Sequence, residues 1–319
     1  MKKLLILVFV LIALYTRAQQ TTMYNQYTFN KAGMNPAASG SDINQIYYFA
    51  GGLNKQWVGM DNAPRQYFFN YSYTIRPPRS YRQWQNISFY TDNDESGLMG
   101  NSGVYLGYTY HMLLKKKTVM SFGVYAGAKK YIRSIGYFDI NDPAVQKNKT
   151  ALYLYPDIIP GFRISDKNYF LGVSIRQLSI TKLQDFKGRK IGSPSKLQPS
   201  IYFDYGKFIT ITDHLLMMPS MALNLPIIAP PIVDLNVMFY YLHRIGGGVG
   251  IRNASFVSAT FQIRFLGNMT AGFAYSYPIN QTRFGAGNSY ELMIGLVPLG
   301  MASSITSKLS VARCPGLNY

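Results

Sequence analysis

The side chains best suited to metal binding or catalysis are few in this chain and lie far apart. His111, His214 and His243 fall in or beside three separate strand-like stretches, and none has a second His or a Cys at ligand spacing. A zinc site needs converging ligands, so none is predicted, and His111 and His243, near strand ends, are interpreted as interface residues. Cys314 is the sole cysteine, so no intramolecular disulfide can form.

Two glycine-containing motifs resemble ligand-binding loops but have the wrong spacing. Residues 92–97, DNDESG, begin like a calcium loop, yet the position that should close it with a carboxylate is Gly103. We interpret this run as a polar turn, and an EF-hand is excluded. Residues 246–250, GGGVG, lack the Lys-Ser/Thr of a phosphate-binding loop. We expect no enzyme, no metal and no cofactor, and we keep a hydrolase only as a minor alternative.

The composition is typical of a membrane protein. Aromatic residues make up 15% of the 319 residues, with 27 Tyr, whereas charged residues make up only 14%. In soluble proteins the charged share is about a quarter. Many tyrosines and few charges fit strands that have one face in lipid and aromatic girdles at the two interfaces.

The net charge of +18 is compatible with nucleic acid, anionic lipid or an acidic partner. Nucleic acid is not expected for a chain that looks exported, so outer-membrane lipid and glycolipid are the expected neighbours of its basic surface. The basic stretch 182–190 contains Lys187, Arg189 and Lys190. These three residues are candidates for binding an acidic partner, although a solvated loop near glycolipid explains them equally well.

Residues 1–18 have the three parts of a secretory signal peptide. Lys2 and Lys3 precede an apolar run of about a dozen residues, and small residues precede a cleavage point after Ala18. A spanning helix needs about 20 apolar residues, so we expect cleavage near Ala18 rather than a membrane anchor.

From residue 45 onward the apolar residues recur with a period of two, which indicates β-strands. One face is bulky and apolar, and the other is rich in Gly, Ser, Thr and Asn. This pattern predicts a transmembrane antiparallel β-barrel of fourteen strands, or twelve if the third and eleventh are absent. The expected strands are 45–53, 66–75, 86–91, 102–112, 118–131, 155–165, 168–177, 198–209, 213–223, 231–243, 246–252, 255–266, 269–278 and 289–297.

The connections between these strands are unequal at the two ends of the expected barrel. If the first strand runs outward, most periplasmic turns are short, whereas most outward loops, such as 54–65, 92–101, 132–154 and 178–197, are long. This asymmetry is typical of outer-membrane barrels. We therefore expect a barrel over residues 45–300 and a periplasmic tail over 301–319.

The stretch 23–40 does not share the strand pattern. We expect residues 19–44 to form a periplasmic segment that enters the lumen from below or lies across the base of the barrel. In this arrangement Tyr24, Tyr27 and Phe29 would be buried against the polar inner face. The tyrosine hydroxyls, together with Asn25, Gln26 and Asn35, would satisfy polar groups of the lumen. Pro36, which follows Asn35, belongs to the same candidate segment.

A second candidate site is the loop after the first strand. Its candidate residues are Gln56, Trp57, Val58 and Met60, of which the last three are apolar for an outward loop. Aromatic side chains are favoured anchors at interfaces. A partner-binding loop and a loop packed onto the barrel mouth are equally compatible with this sequence.

The chain resembles the PorP/SprF family of outer-membrane proteins of the type IX secretion and gliding apparatus. The resemblance is carried by the block YNQYTFN at 24–30, the block NPAASG at 35–40, and QWVGM at 56–60 followed by Ala63-Pro64. Residues 87–97 and the Arg-Cys-Pro tail at 313–315 match more loosely. The resemblance implies a barrel without catalysis that serves a secreted cargo or adhesin protein. It also implies contacts with periplasmic, peptidoglycan-linked components of the machine.

Two classes of function follow. The first is a non-enzymatic barrel that binds a secreted or surface-attached cargo protein, periplasmic machine components, or both. The alternative is an outer-membrane channel or transporter for small, possibly apolar, solutes, because a fourteen-stranded barrel is wide enough to hold a plugged lumen.

Overall fold

The computed structural model describes most of the chain after the expected signal peptide. The described residues are 23–43, 45–76, 82–97, 99–114, 118–133, 151–178 (side chains from 154), 199–227, 229–266, 268–279 and 287–297. Residues 1–22, the basic stretch with Lys187, Arg189 and Lys190, and the tail with Cys314 therefore lie outside the described residues.

The described chain is almost entirely β-structure, and every strand pairs antiparallel with its neighbours. The strands are β1 (Tyr47–Lys55), β2 (Arg65–Ile75), β3 (Gln83–Ser96), β4 (Met99–Leu113), β5 (Val119–Arg133), β6 (Ala151–Ser165), β7 (Tyr169–Arg176), β8 (Ser200–Lys207), β9 (Ile209–Thr212), β10 (Leu215–Pro226), β11 (Ile232–Tyr241), β12 (Ile245–Arg252), β13 (Phe256–Phe265), β14 (Met269–Pro278) and β15 (Ser289–Leu296).

The sheet closes into a barrel because β15 pairs with β1 along the register Leu53↔Leu292. The short strand β9 continues the line of β8 after a break at Phe208, and both pair with β10. Counted around the wall, β8 and β9 are one strand, so the closed barrel has fourteen strands and the fourteen-strand prediction is confirmed.

The two faces of the wall follow the alternation seen in the sequence. On β2, Tyr67 and Phe69 point outward and are more than 40% exposed, whereas Gln66, Asn70 and Ser72 point inward and are buried. Successive side chains of a strand point to opposite faces, so one apolar and one polar surface arise from a single pleated chain. The apolar surface faces outward, as lipid contact requires.

The two ends of the barrel differ in their connections, as expected. One end carries the connections 56–64, 134–150, 177–199 and 279–288, and we call it the long-loop end. The other carries mostly tight turns, including 166–168, 242–244 and 266–268 and the connections 76–82 and 114–118, and we call it the short-turn end. In outer-membrane barrels the long loops face outward.

One expected loop is wrong. Residues 92–101 belong largely to β3 and β4, which continue to Ser96 and restart at Met99. From sequence alone the acidic run is interpreted as a turn, because Asp and Asn are depleted in β-strands. Here Asp92 faces the lumen, where Lys129 Nζ lies 3.9 Å and Arg176 Nη2 lies 3.7 Å from its carboxylate. The lumen therefore accommodates charges that a packed apolar core would exclude.

Before β1, the chain forms two short helical turns. Helix α1 spans Lys31–Met34, and a 3-10 turn spans Pro36–Ala38. Asn35 caps the 3-10 turn, since its Oδ1 accepts a hydrogen bond from Ala37 N at 2.9 Å. Within the described residues, no helix is both long and apolar enough to cross a membrane.

Candidate functional site

Met23–Ile43, which we call the N-terminal segment, lies among the inward-facing side chains of the barrel. At the long-loop end, Arg252 Nη1 donates to Met23 O at 3.4 Å. At the short-turn end, Trp84 Nε1 donates to Gly40 O at 2.9 Å, and Ile43 packs against Trp84 and Val119. The segment thus extends between the two ends of the lumen.

The first half of the N-terminal segment is held by a carboxylate. Glu291 on β15 is completely buried, and its Oε2 and Oε1 accept hydrogen bonds from Asn25 N and Gln26 N, each at 2.9 Å. Both carboxyl oxygens are thus used as acceptors by two consecutive backbone amides. Asn25 Nδ2 also donates to Ser276 Oγ at 2.8 Å, so two neighbouring strands fix the same residue.

Further polar contacts extend along the wall to β13 and β10. Tyr27 OH donates to Ser220 Oγ at 2.7 Å, and Gln262 Nε2 donates to Gln26 Oε1 at 3.1 Å. Burial raises the pKa of Tyr27 well above its ordinary value, so its phenol remains a protonated donor.

The aromatic side chains of this half are buried to different extents. Tyr24 is buried, and its ring meets Phe68 edge-on with centroids 5.2 Å apart, whereas Phe29 is only half-buried. Among the described residues, the Tyr24 hydroxyl has no hydrogen-bond partner, whereas the Tyr27 hydroxyl donates to Ser220 Oγ.

The second half of the N-terminal segment is seated on glycines of the wall. A Cβ added at Gly123 would lie 2.5 Å from Pro36 C and Ala37 N, and one added at Gly161 or Gly172 would collide with the Asn35 amide. The backbone of the segment lies so close to Gly123, and the Asn35 side chain so close to Gly161 and Gly172, that only glycine fits at these three positions without a shift. Asn35 Nδ2 completes the fit by donating to Phe162 O at 3.0 Å and Val173 O at 3.3 Å.

The carbonyl groups of this half are also bound by wall side chains. Thr109 Oγ1 donates to Pro36 O at 2.9 Å, and Ser174 Oγ donates to Met34 O at 2.8 Å. His111 contacts Ser39 O at 2.9 Å through Nε2 and stacks on Trp84 with ring centroids 4.9 Å apart. The interpretation of His111 as an interface residue is therefore wrong: it faces the lumen and is completely buried.

Two further pairs of opposite charges lie on the inner wall. Arg163 Nη1 bonds Asp204 Oδ2 at 2.8 Å, and Arg252 Nη2 bonds Asp234 Oδ2 at 2.6 Å. Pairing of this kind is what buried charges require. In the described part of the chain, no three His, Cys, Asp or Glu side chains converge as metal ligands would.

The loop with Gln56, Trp57, Val58 and Met60 lies at the long-loop end. Gln56 and Trp57 are half-buried, whereas Val58 and Met60 are exposed. Val58 N donates to Asn288 O at 2.8 Å, and Met60 N donates to Trp57 O at 3.1 Å. Trp57 has a left-handed φ of 49°, which is uncommon for a residue with a bulky side chain. Val58 and Met60 are 37% and 45% exposed, so the loop presents apolar surface.

Sequence reasoning missed Glu291 and the three seating glycines. Glu291 was visible as a lone acid on the polar face of the last strand, flanked by Tyr290 and Leu292. Such an isolated charge in a membrane strand marks a specific partner. Gly123, Gly161 and Gly172 had no distinguishing signal, because glycine is common throughout the inner wall.

The comparisons with known proteins agree with this architecture. The family model "Type IX secretion system membrane protein PorP/SprF" matches residues 16–296. A comparison with curated proteins found no match.

Similar solved structures include other membrane barrels. The CymD monoaromatic hydrocarbon channel is 8% identical, with a TM-score of 0.51 over 88% of this chain and 93% of that chain. The Ralstonia pickettii toluene transporter TbuX is 10% identical, with a TM-score of 0.48 over 84% and 91%. The Pseudomonas putida toluene transporter TodX is 7% identical, with a TM-score of 0.47 over 88% and 98%. At such identities the likeness concerns the fold alone.

Proposed function

This chain belongs to the PorP/SprF family of type IX secretion system membrane proteins, and on that premise we propose that it is a non-enzymatic outer-membrane barrel that binds partners at its ends. At the long-loop end the partner is a secreted or surface-attached cargo protein, such as a gliding adhesin. At the short-turn end the partners are periplasmic, peptidoglycan-linked components of the machine.

The observation that carries the proposal is the occupancy of the lumen by the protein's own chain. Met23–Ile43 makes hydrogen bonds or close packing contacts with β2–β7 and β10–β15. These strands make up most of the barrel circumference. We propose that this segment closes the lumen. A barrel closed in this way offers its rims, and not its interior, to other molecules.

The Trp57 loop is the proposed cargo contact at the long-loop end. Exposed apolar side chains on a rigid backbone lose little conformational entropy on binding, and this favours their use as anchors. Val58 and Met60 fit this description, because backbone hydrogen bonds hold their loop while the side chains remain exposed.

The experiment is recovery of cargo from detergent extracts of a type IX-competent strain with the tagged full-length barrel as bait. We expect a large exported protein to copurify with the native barrel and to be lost with Val58→Ser/Met60→Ser. Leu266→Ser is the matched control, since Leu266 is 75% exposed at the short-turn end. Recovery of the barrel without cargo, where machine complexes survive, would contradict the cargo contact.

Planar-bilayer conductance tests the channel alternative. A closed lumen predicts no steady conductance from the native barrel. Steady conductance, or loss of growth on one solute when the gene is deleted, would support the channel and contradict closure by the N-terminal segment.

A further inference from the structure

The outward face of the β1–β2 ladder changes from apolar to cationic at one position. Four successive pairs along this face are Tyr47 with Tyr73, Phe49 with Tyr71, Gly51 with Phe69, and Leu53 with Tyr67. The next pair, at the long-loop end, is Lys55 with Arg65, and both side chains are exposed. Two cations therefore stand directly opposite each other where the apolar band ends.

The two cations occupy the closer of the two kinds of antiparallel pair. Gln56 N donates to Pro64 O at 2.9 Å, so the pair next to it, Lys55 with Arg65, is a non-hydrogen-bonded pair, in which side chains approach most closely. Two other such pairs on this ladder show the closeness: the rings of Tyr47 and Tyr73 are 5.0 Å apart, and those of Phe49 and Tyr71 are 4.9 Å apart. Like charges in this arrangement repel.

The described residues supply no counter-ion within salt-bridge distance. None of the four ion pairs in the described part of the chain includes Lys55 or Arg65. Glu95 is in register with Arg65 on β3, but its Oε1 accepts a hydrogen bond from Asn93 Nδ2 at 2.8 Å. Glu95 is a single anion beside two cations, so a net positive charge remains at this pair for a group outside the protein to offset.

The neighbouring tyrosines place the pair at the depth of lipid headgroups. Tyr290 is in register with Lys55 on one side, and Tyr67 lies one pair below Arg65 on the same face. Tyrosines form girdles at both interfaces of a barrel. A charged group just beyond the girdle meets the phosphates of membrane lipids and not the acyl chains.

We propose that Lys55 and Arg65 form a binding site for a phosphate group of a membrane glycolipid in the leaflet at the long-loop end. The planar guanidinium binds two phosphate oxygens side by side, and the ammonium adds a second charge from the adjacent strand. The bound phosphate offsets the repulsion across the pair and ties the base of the Trp57 loop to the membrane surface.

The test is native mass spectrometry of the full-length barrel in detergent, titrated with diphosphorylated lipid A. A direct charged hydrogen bond to the phosphate contributes a factor of about ten in affinity, and a basic residue outside the site does not supply it. We therefore expect about tenfold weaker binding for Lys55→Ala or Arg65→Ala, and about a hundredfold weaker binding for the double variant. The matched control is Lys130→Ala, an exposed cation of β5 whose in-register neighbours are Ser102 and Leu154; it should bind like the native protein.

Two further arms identify the recognised group. Lipid A stripped of its phosphates should bind the native barrel no more tightly than diphosphorylated lipid A binds the double variant. Millimolar inorganic phosphate should not displace diphosphorylated lipid A from the native barrel. The proposal is overturned if the double variant binds diphosphorylated lipid A like the native protein, or if the stripped lipid binds equally well. Complete displacement by inorganic phosphate also overturns it. Heat-modifiable migration on gels establishes that each variant is folded.

Discussion

The two halves of the N-terminal segment are held by different physical means. Residues 24–27 are held through side-chain and carboxylate hydrogen bonds to β10, β13, β14 and β15. Residues 34–40 are held by close packing of backbone and of the Asn35 side chain on wall glycines, and by hydrogen bonds to their carbonyl groups. Water can replace most of the first set of contacts, but nothing replaces shape complementarity. If the segment ever moves, the first half is therefore the part that is released.

The largest effect is expected from adding a side chain at Gly123, where the backbone of the N-terminal segment packs against the wall. Gly123→Val places a branched side chain where Pro36 and Ala37 backbone atoms lie, and overpacking against backbone costs about 3 kcal/mol. The midpoint of thermal unfolding, read by loss of heat-modifiable migration, should fall. Gly247→Val is the control, since a Cβ at Gly247 meets nothing within 4 Å. Equal midpoints for the two variants would show that the second half is not packed as described.

A smaller and more local effect is expected from removing the carboxylate. Glu291→Ala leaves the Asn25 and Gln26 amides without their acceptor, which costs about 2 kcal/mol. Hydrogen–deuterium exchange should speed up in peptides covering 23–30 and stay slow in those covering 34–40. Glu291→Gln keeps one acceptor oxygen and should lie between. Equal loss of protection in both halves would mean that the segment is held as one unit.

The smallest effect is expected from a single neutral hydrogen bond. Tyr27→Phe removes the donor to Ser220 and should cost about 1 kcal/mol. Adding Ser220→Ala should cost almost nothing more, because the two changes remove one contact. Tyr67→Phe, which alters an outward tyrosine, is the control in the same unfolding assay. Full additivity of Tyr27→Phe and Ser220→Ala would argue against their contact.

The strands were predictable from sequence because lipid and lumen impose opposite chemistry on alternate residues. Even the two weakest predictions, 86–91 and 246–252, correspond to β3 and β12. The ends of β3 and β4 were not predictable, since Asp92 is tolerated in a strand only where Lys129 and Arg176 face it across the lumen.

The site was less predictable than the barrel. Tyr24, Asn25, Gln26, Tyr27 and Asn35 were identified as distinctive, but their partners lie on strands far along the chain. No local pattern states that Gly123 faces Pro36 or that His111 faces Ser39. These pairings depend on the register of a closed sheet, which exists only after the whole barrel has formed.

The position of Glu291 also bears on the order of assembly. Its two bonds to the N-terminal segment join residues 266 and 265 positions apart, and they reside on β15, the strand that pairs with β1 to complete the ring. Contacts between such distant residues form late in folding. The event that seals the seam is thus the same event that fastens the first residues of the segment. In a nascent barrel β1 and β15 are unpaired and the N-terminal segment is not yet bound to Glu291. Both sets of contacts form in the same step.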